Sequence, residues 1–237
     1  MAYYDRISKQ WHRATGSQGG ALKKYVLNEL IISRIKRIEA MSILELGAGN
    51  GYFIPLMLKR FSGQNPSRVV ITDQSSALLE IAKRNFRVLQ AGYLILDIYN
   101  EFPFRDGEFD LILSTMVFNE VSDSGFQQAL KECNRVLNKE GVLLATVLHP
   151  DFIDNLSKRG QIKQHQNRLT MPSTKGMRVP VVKRSLKRYY YLLNQSGFQF
   201  KTKDVYPTKK VLNAKPGLQK AGKIPLATLF SCKKDKV

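Results

Sequence analysis

The chain has 237 residues, of which 43% are hydrophobic, enough for one sizeable core, and its formal net charge at pH 7 is +19. It contains no run of about 18 apolar residues, no signal-peptide pattern after Met1, and only two cysteines, Cys133 and Cys232. The composition argues against a membrane-spanning, disulfide-based or zinc-binding chain. It predicts a cytoplasmic protein with reduced thiols.

The first 40 residues combine an aromatic segment with a helix. Tyr3, Tyr4 and Trp11 stand in the segment that precedes a glycine-rich turn at 16–20. An amphipathic helix is then predicted over Ala21–Glu39, because its apolar residues recur at helical spacing. Core packing is the simplest explanation of that apolar stripe.

A short strand at Ile43–Leu46 leads into three glycines at alternate positions, Gly47, Gly49 and Gly51. Glycines at this spacing let the backbone turn sharply and approach a ligand with no Cβ in the way. The loop runs from a strand end into a helix start, where open α/β sheets bind ligands. The dinucleotide fingerprint requires glycine at position 52, and Tyr52 there argues against NAD.

The second strand is predicted at Val69–Asp73 and ends in a carboxylate. Asp73 follows Gly51 by 22 residues, close to the roughly 20 at which such an acid meets a ribose. A carboxylate accepts hydrogen bonds from both ribose hydroxyls. Asp73 or Ser75 also fits as the N-cap of a helix over Ala77–Asn85, and the two roles are compatible.

Strand 3 is predicted at Leu94–Ile98 and strand 4 at Phe109–Leu113. Asp97 in strand 3 is either a ligand contact or a turn residue, whereas Asp110 is expected to be structural. A helix over Gly125–Leu137 and strand 5 over Val142–Leu148 follow.

His149 directly follows strand 5. A histidine at that edge can accept a proton near neutral pH. An equally weighted alternative is a histidine that closes a turn through its ring. His12 and His165 have no local partner pattern.

The last third begins with the polar segment Phe152–Arg184, which lacks clear periodicity and carries several glycines and prolines. Its position after strand 5 makes it a candidate substrate lid. A helix over Ser185–Ser196, closed by Gly197, and a closing strand over Ile224–Lys234 follow.

Charge is distributed unevenly along the chain. Residues 1–150 carry 18 basic and 15 acidic side chains, whereas residues 151–237 carry 20 basic and four acidic ones. A basic face fits a polyanion partner. The basic residues are scattered and lack the aromatic–glycine pattern of RNA-binding motifs. A solvated basic surface is the favoured interpretation, ahead of an anionic substrate, a membrane surface or nucleic acid.

Together these motifs resemble the class I S-adenosylmethionine-dependent methyltransferases, and in particular their type-11 family. The glycine loop resembles motif I, and the segment from Phe102 to Asp110 resembles the stretch that leads into strand 4. The chain departs from the family at Asn119-Glu120, where a histidine pair is frequent, and at Glu140-Gly141, where two glycines are frequent. The first departure puts an acid–base role at 119 and 120 in doubt.

The resemblance implies a Rossmann-like α/β fold over residues 1–237 as a single domain. Its seven-stranded sheet has the order 3-2-1-4-5-7-6, with strand 7 antiparallel and helices on both faces. Residues 1–40 would form an N-terminal cap and helix, and residues 152–184 an inserted lid.

The resemblance also implies a set of site residues. The cofactor is expected to be S-adenosyl-L-methionine, bound by Glu45, Gly47, Ala48, Gly49, Gly51, Asp73, Gln74, Asp97, Ile98 and Ser114, and no metal is expected. Substrate contacts are expected from Tyr4, Trp11, Asn119 and Tyr190. His149 is the first candidate for a proton acceptor and Glu120 the second.

The function predicted is methyl transfer to a small-molecule acceptor on O, N or C, which yields S-adenosylhomocysteine. One alternative is RNA methylation through the basic last third. Against it, the residues after strand 4 lack the Asp/Asn-Pro-Pro-Tyr/Phe signature of exocyclic amine methylation. A second alternative is a non-catalytic protein that binds the cofactor.

Overall fold

The computed structural model describes residues 3–36, 38, 40–59, 66–85, 91–165, 168–173, 176–221 and 223–235. The strands are β1 Ser42–Leu46, β2 Arg68–Asp73, β3 Ala91–Ile95, β4 Phe109–Thr115, β5 Leu137–Leu148, β6 Lys163–His165, β7 Arg168–Pro172, β8 Arg178–Val181, β9 Phe198–Val205 and β10 Ala227–Lys234. The α-helices are α1 Tyr3–Thr15, α2 Asn28–Ile35, α3 Phe53–Leu58, α4 Ser76–Asn85, α5 Asp123–Val136, α6 Pro150–Lys158, α7 Leu186–Gln195 and α8 Lys209–Ala214.

Seven strands form the central sheet in the order β3-β2-β1-β4-β5-β10-β9. Strand β10 runs antiparallel to both of its neighbours, whereas the pairs from β3 through β5 are parallel. This is the predicted order 3-2-1-4-5-7-6 with an antiparallel strand 7, so the predicted fold is confirmed.

Helices cover both faces of the sheet because its strands are apolar on both sides. In β1, Ile43 packs with α2 and α3 on one face, and Leu44 packs with α5 and α7 on the other. Both cysteines lie buried as free thiols, Cys133 in α5 and Cys232 in β10. No helix in the described part of the chain combines the length and apolarity needed to cross a membrane.

The N-terminal region is more irregular than the predicted helix over Ala21–Glu39. Lys23–Leu27 forms one π-helical turn that continues directly into α2. Positions 37 and 39 of the predicted helix lie outside the described residues. Helix α1 lies against α4: the Asp5 carboxylate accepts hydrogen bonds from the Ser75 hydroxyl at 2.7 Å and from the Ala77 N–H at 3.3 Å.

The segment predicted as an irregular insertion contains regular structure. It holds helix α6 and a separate antiparallel sheet in the order β6-β7-β8. Strands β7 and β8 bury Met171, Val179 and Val181 on one side. Positions 166, 167, 174 and 175 of the proposed lid lie outside the described residues. The strands were missed because they are three to five residues long and rich in polar residues.

Candidate functional site

A cavity of about 220 Å³ opens at the carboxyl edge of the central sheet. Its walls come from the connections that follow β1, β2, β3 and β4, together with α1, the π-helical turn and the small sheet. The lining residues that follow β1 to β4 include Gly47, Ala48, Gly49, Asn50, Asp73, Gln74, Leu96, Ile98, Thr115, Met116, Asn119 and Glu120. This edge is where a doubly wound sheet binds its ligands.

The glycine loop after β1 forms the floor of the cavity. Gly47 and Gly49 have φ angles of +62° and +63°, a region that side chains disfavour. A Cβ on Gly47 would stand 2.3 Å from the Val117 side chain, whereas one on Gly49 would meet only Trp11 at 3.4 Å. Gly47 is therefore required for packing, and Gly49 keeps the loop open beneath Trp11.

Asp73 joins the glycine loop to the end of β2. Its Oδ2 accepts a hydrogen bond from the Gly49 N–H at 2.8 Å, and its Oδ1 accepts one from the Ser75 N–H at 2.9 Å. Burial raises the pKa of this carboxyl, and the two N–H donors oppose that shift. Each oxygen keeps a second lone pair, so a bound diol has two acceptors here.

A lysine and a glutamate lie together beside the glycine loop. Lys23, from the π-helical turn, lines the cavity, and its Nζ lies 3.4 Å from the Thr115 carbonyl oxygen. Burial lowers the pKa of Lys23, against the attraction of Glu45, Glu120 and Asp73. Burial raises the pKa of Glu45 to about 8, and its Oε2 has no hydrogen-bond partner among the described residues. An ammonium and a carboxylate so placed suit a zwitterionic ligand.

A second polar group lies on the loop after β4. The Tyr4 hydroxyl donates to both carboxylate oxygens of Glu120, at 2.8 and 3.0 Å. Withdrawal from bulk water raises the pKa of Glu120 to about 8. Asn119 beside it is buried, and its Oδ1 has no partner among the described residues. These groups are acceptors, so they suit a ligand that brings a hydrogen-bond donor.

The outer wall of the cavity is formed by the insertion and by the connection between β9 and β10. It contributes Met171, Ser173, Val179 and Lys215. The Tyr3 hydroxyl donates to the Arg178 carbonyl at 2.6 Å and so links α1 to β8.

A buried arginine fixes the insertion to the loop after β4. The Arg184 guanidinium donates to the carbonyls of Phe118 and Val121 and to the Asp123 carboxylate, at 2.7–2.9 Å. It also lies over the rings of Phe126 and Tyr189. The insertion therefore holds the loop that carries Asn119 and Glu120.

Most of the residues predicted from the sequence meet at this cavity. Those that line it are Tyr4, Trp11, Gly47, Ala48, Gly49, Asp73, Gln74, Ile98, Asn119 and Glu120. Glu45 is buried close to Lys23, near enough for their charges to interact. Glu45, Gly51, Asp97, Ser114, His149 and Tyr190 are not among the lining residues.

Three of the predicted residues that do not line the cavity, His149, Asp97 and Tyr190, have other contacts. His149 is buried as the N-cap of α6, and its Nδ1 accepts a hydrogen bond from the Asp151 N–H at 3.1 Å. Asp97 is exposed and accepts from the Tyr99 N–H at 3.1 Å, which is a turn contact. Tyr190 packs on Phe200 and Phe230. The contacts of His149 and Tyr190 are thus a helix cap and aromatic packing.

Several lining residues had no signal in the sequence. Lys23 follows Leu22 in an amphipathic stretch, where a charge is expected to face solvent. Lys23 is the first residue of a π-helical turn, and such turns have no sequence signature here. Met171, Val179 and Lys215 come from segments whose structure the sequence did not predict.

Several known proteins resemble this chain in sequence. Residues 43–141 match a family model described as a methyltransferase domain. A malonyl-acyl-carrier protein O-methyltransferase 1 from Coxiella burnetii is 32% identical over 154 residues, which cover 63% of this chain and 50% of that protein. A demethylmenaquinone methyltransferase from Thermotoga maritima is 31% identical over 120 residues, which cover 51% and 49%.

The fold has many solved counterparts. An S-adenosylmethionine-dependent methyltransferase from Mesorhizobium loti superposes with a TM-score of 0.69 at 19% identity, over 92% of this chain and 100% of that one. The chain spans about half the length of the two curated relatives described above.

Proposed function

We propose that the chain is a class I S-adenosylmethionine-dependent methyltransferase and that it transfers a methyl group from that cofactor to a small-molecule acceptor, which its match to a methyltransferase-domain model and its methyltransferase relatives support. One observation carries the proposal. A single cavity is lined by a glycine loop, a buried carboxylate at the end of β2 and the ammonium of Lys23, and the Glu45 side chain is buried close to that ammonium. When bound, S-adenosylmethionine supplies a methyl group that its positive sulfur already activates.

The residues present fit this cofactor. Asp73 offers acceptors to the ribose hydroxyls, and Leu96 and Ile98 offer an apolar surface to the adenine. Lys23 suits the carboxylate of the methionine end, and the unpaired Oε2 of Glu45 suits its ammonium.

The acceptor is proposed to lie between Glu120 and the outer wall. Bringing acceptor and donor together supplies about 7–11 kcal/mol of the barrier reduction by positioning. Where the acceptor atom carries a proton, the Glu120 carboxylate takes it, and Tyr4 orients that carboxylate through its two hydrogen bonds. His149 has no part in this mechanism, because its ring lies outside the cavity lining and caps α6.

A small acceptor is favoured because the cavity is covered. Tyr4 and Trp11 of α1, with ring centroids 5.1 Å apart, lie over it from one side. Met171 and Val179 of the small sheet close it from another. We therefore propose residues 152–184 as a lid and α1 as a cap within a single domain. The Coxiella burnetii relative is named for O-methylation of a malonyl-acyl-carrier protein, and that name also suggests a small acyl acceptor.

A labelled-methyl assay tests the proposed function. The protein is incubated with methyl-labelled S-adenosylmethionine and, side by side, with a total small-molecule extract and total RNA. We expect calorimetric binding of S-adenosylmethionine but not of NAD, and label in the small-molecule fraction. Label confined to RNA would favour the RNA methyltransferase alternative, and cofactor binding without any transfer would favour the non-catalytic one.

The proton-acceptor role of Glu120 is tested by Glu120→Gln. The amide keeps the size of the side chain but cannot take a proton, so we expect turnover to fall by about 100- to 10,000-fold. Cofactor affinity should change little. His149→Ala serves as the comparison, and its turnover should stay near that of the parent. Parental turnover in Glu120→Gln would remove Glu120 from the mechanism.

A further inference from the structure

Two cations are found among the residues that line the cavity, and the proposed cofactor accounts for one of them. Lys23 lies beside the glycine loop with three carboxylates around it. Lys215 lies on the outer wall, in the connection between β9 and β10. S-adenosylmethionine carries one anionic group, its carboxylate, and Lys23 suits it. Lys215 therefore faces the cavity without an assigned partner.

The surroundings of Lys215 differ from those of Lys23. No hydrogen bond or ion pair joins its ammonium to another described residue. Its side chain is partly buried, and burial lowers its pKa with no carboxylate to oppose the shift. A lysine that is withdrawn from water without a counter-charge destabilises the folded state, and a bound anion would offset that destabilisation.

The backbone holds Lys215 in place. Its N–H donates to the Val211 carbonyl, and its own carbonyl accepts from the Leu218 N–H, both at 2.9 Å. Val211 anchors α8 because its side chain is completely buried. The connection is fixed to the sheet where the Leu226 N–H donates to the Val205 carbonyl and the His149 N–H donates to the Leu226 carbonyl.

Another part of the cavity lining has the complementary chemistry. Asn119 Oδ1 is buried and unpaired among the described residues, and the Glu120 carboxylate lies next to it. Both accept hydrogen bonds, so the ligand portion there carries an N–H or O–H group.

We propose that Lys215 binds an oxyanion of the acceptor, a carboxylate or a phosphate, while the N–H or O–H end of the acceptor lies at Asn119 and Glu120. The acceptor class is thus a small amino or hydroxy compound with an acidic group at its other end. This inference rests on the proposed function, whose acceptor it specifies.

Anion binding at Lys215 is measured without turnover. The full chain, saturated with S-adenosylhomocysteine and labelled with ¹³C at lysine, is titrated with butyrate, butyl phosphate and neutral butyramide while lysine side-chain NMR signals are followed. We expect one or both anions to shift the Lys215 signal saturably and butyramide to leave it unchanged. Whichever anion binds more tightly identifies the acidic group.

Variants separate this site from the general basic surface. Lys215→Met should weaken anion binding about tenfold or more, the loss of one charge-assisted hydrogen bond. The exposed Lys209→Met on α8 should not weaken it, and Lys215→Arg should retain most of it. Calorimetry with S-adenosylhomocysteine should give the same affinity for the parent and Lys215→Met.

Two results would overturn the inference. Equal binding of butyramide and both anions would show that no anion subsite exists. Weaker S-adenosylhomocysteine binding in Lys215→Met would assign Lys215 to the cofactor. Absence of cofactor binding in the parent is a separate result, which contradicts the proposed function itself.

Discussion

Asp73 and Asp97 are both acids at strand ends, yet their surroundings differ. Asp73 is buried in the cavity wall and accepts from two backbone N–H groups, whereas Asp97 is exposed and accepts from one. We expect Asp73→Ala to weaken cofactor binding by about 1.5–3 kcal/mol, the value of a hydrogen bond to a charged group. Calorimetry measures the loss, and thermal unfolding monitors folding.

Asp97→Ala is the matched variant for this prediction. Its side chain is outside the cavity lining, so cofactor affinity should remain within about twofold of the parent. A large loss in Asp97→Ala with none in Asp73→Ala would reverse the roles proposed for the two strand ends.

The buried Glu45 carboxyl predicts that cofactor binding releases protons. Its pKa of about 8 keeps it protonated at pH 7 in the empty cavity. The cofactor ammonium favours the ionised form and lowers that pKa, so binding at pH 7 expels a proton, and affinity rises as pH approaches 8. Titration calorimetry in buffers of different ionisation enthalpy measures the number of protons.

The same experiment at about pH 9.5 is the internal control, because Glu45 is then ionised before binding and little proton release remains. Glu120 has a similar pKa and contributes to the same total. Glu45→Gln should therefore reduce the release at pH 7 and leave the contribution of Glu120. An unchanged proton count in Glu45→Gln would contradict the assignment.

For individual residues, the sequence predicted the contacts that depend on the local course of the backbone. The glycine loop and Asp73 follow a strand directly, so their spacing determines where they lie. Lys23 could not be predicted, because it belongs to a π-helical turn that no local pattern in the sequence indicates. The sequence predicted that His149 follows β5, and it does. A side chain at the end of a strand can also cap the helix that comes next, as His149 does. Local spacing does not distinguish a helix cap from a residue in the cavity.

At the level of secondary-structure elements, the connection from β8 to α7 supports the loop after β4 that lines the site, and this support can be tested. Arg184 is buried and satisfies the carbonyls of Phe118 and Val121 as well as Asp123. Arg184→Met should lower the free energy of unfolding by about 2–6 kcal/mol, since each buried carbonyl left unpaired costs about 1–3 kcal/mol. Denaturant unfolding measures this change.

Arg188 provides the comparison because it pairs with the same Asp123 from a half-exposed position. Its substitution by methionine should cost about 0–1 kcal/mol, as for other surface ion pairs. Equal losses in the two variants would mean that the Asp123 pairing, and not the buried carbonyls, accounts for the effect of Arg184.

The central strands were predictable because continuous apolar runs mark strands that are buried on both faces. Strands β1, β2 and β4 match their predicted positions closely. Strand β5 begins at Leu137, five residues before the prediction, because the chain pairs with β4 at Phe109 before an irregularity in register. The small sheet was not predictable, since its strands are only three to five residues long, too short for a clear alternation of apolar residues.

For the molecule as a whole, the excess of basic side chains in the last third raises the question of whether the protein binds RNA. Lysines 201 and 203 are exposed on the edge strand β9, where charge also discourages pairing with other chains. We expect RNA binding that is weak, independent of sequence and steeply reduced between low and moderate salt. Filter binding across a salt series with unrelated RNAs measures it. Tight binding of one RNA at physiological salt, with methyl incorporated, would contradict the small-molecule proposal.

The reversed direction of β10 has a consequence for how acceptor preference can change. Because β9 and β10 are joined at the ligand edge, residues 206–221 and 223–226 belong to the tip of a hairpin, and Lys215 lies on that tip. Hairpin tips tolerate insertions and exchanges without altering the register of the strands below. The cofactor groups belong to the opposite half of the edge, on β1 and β2. Descendants of this chain could therefore acquire new acceptors by remodelling one tip while inheriting the methyl donor unchanged.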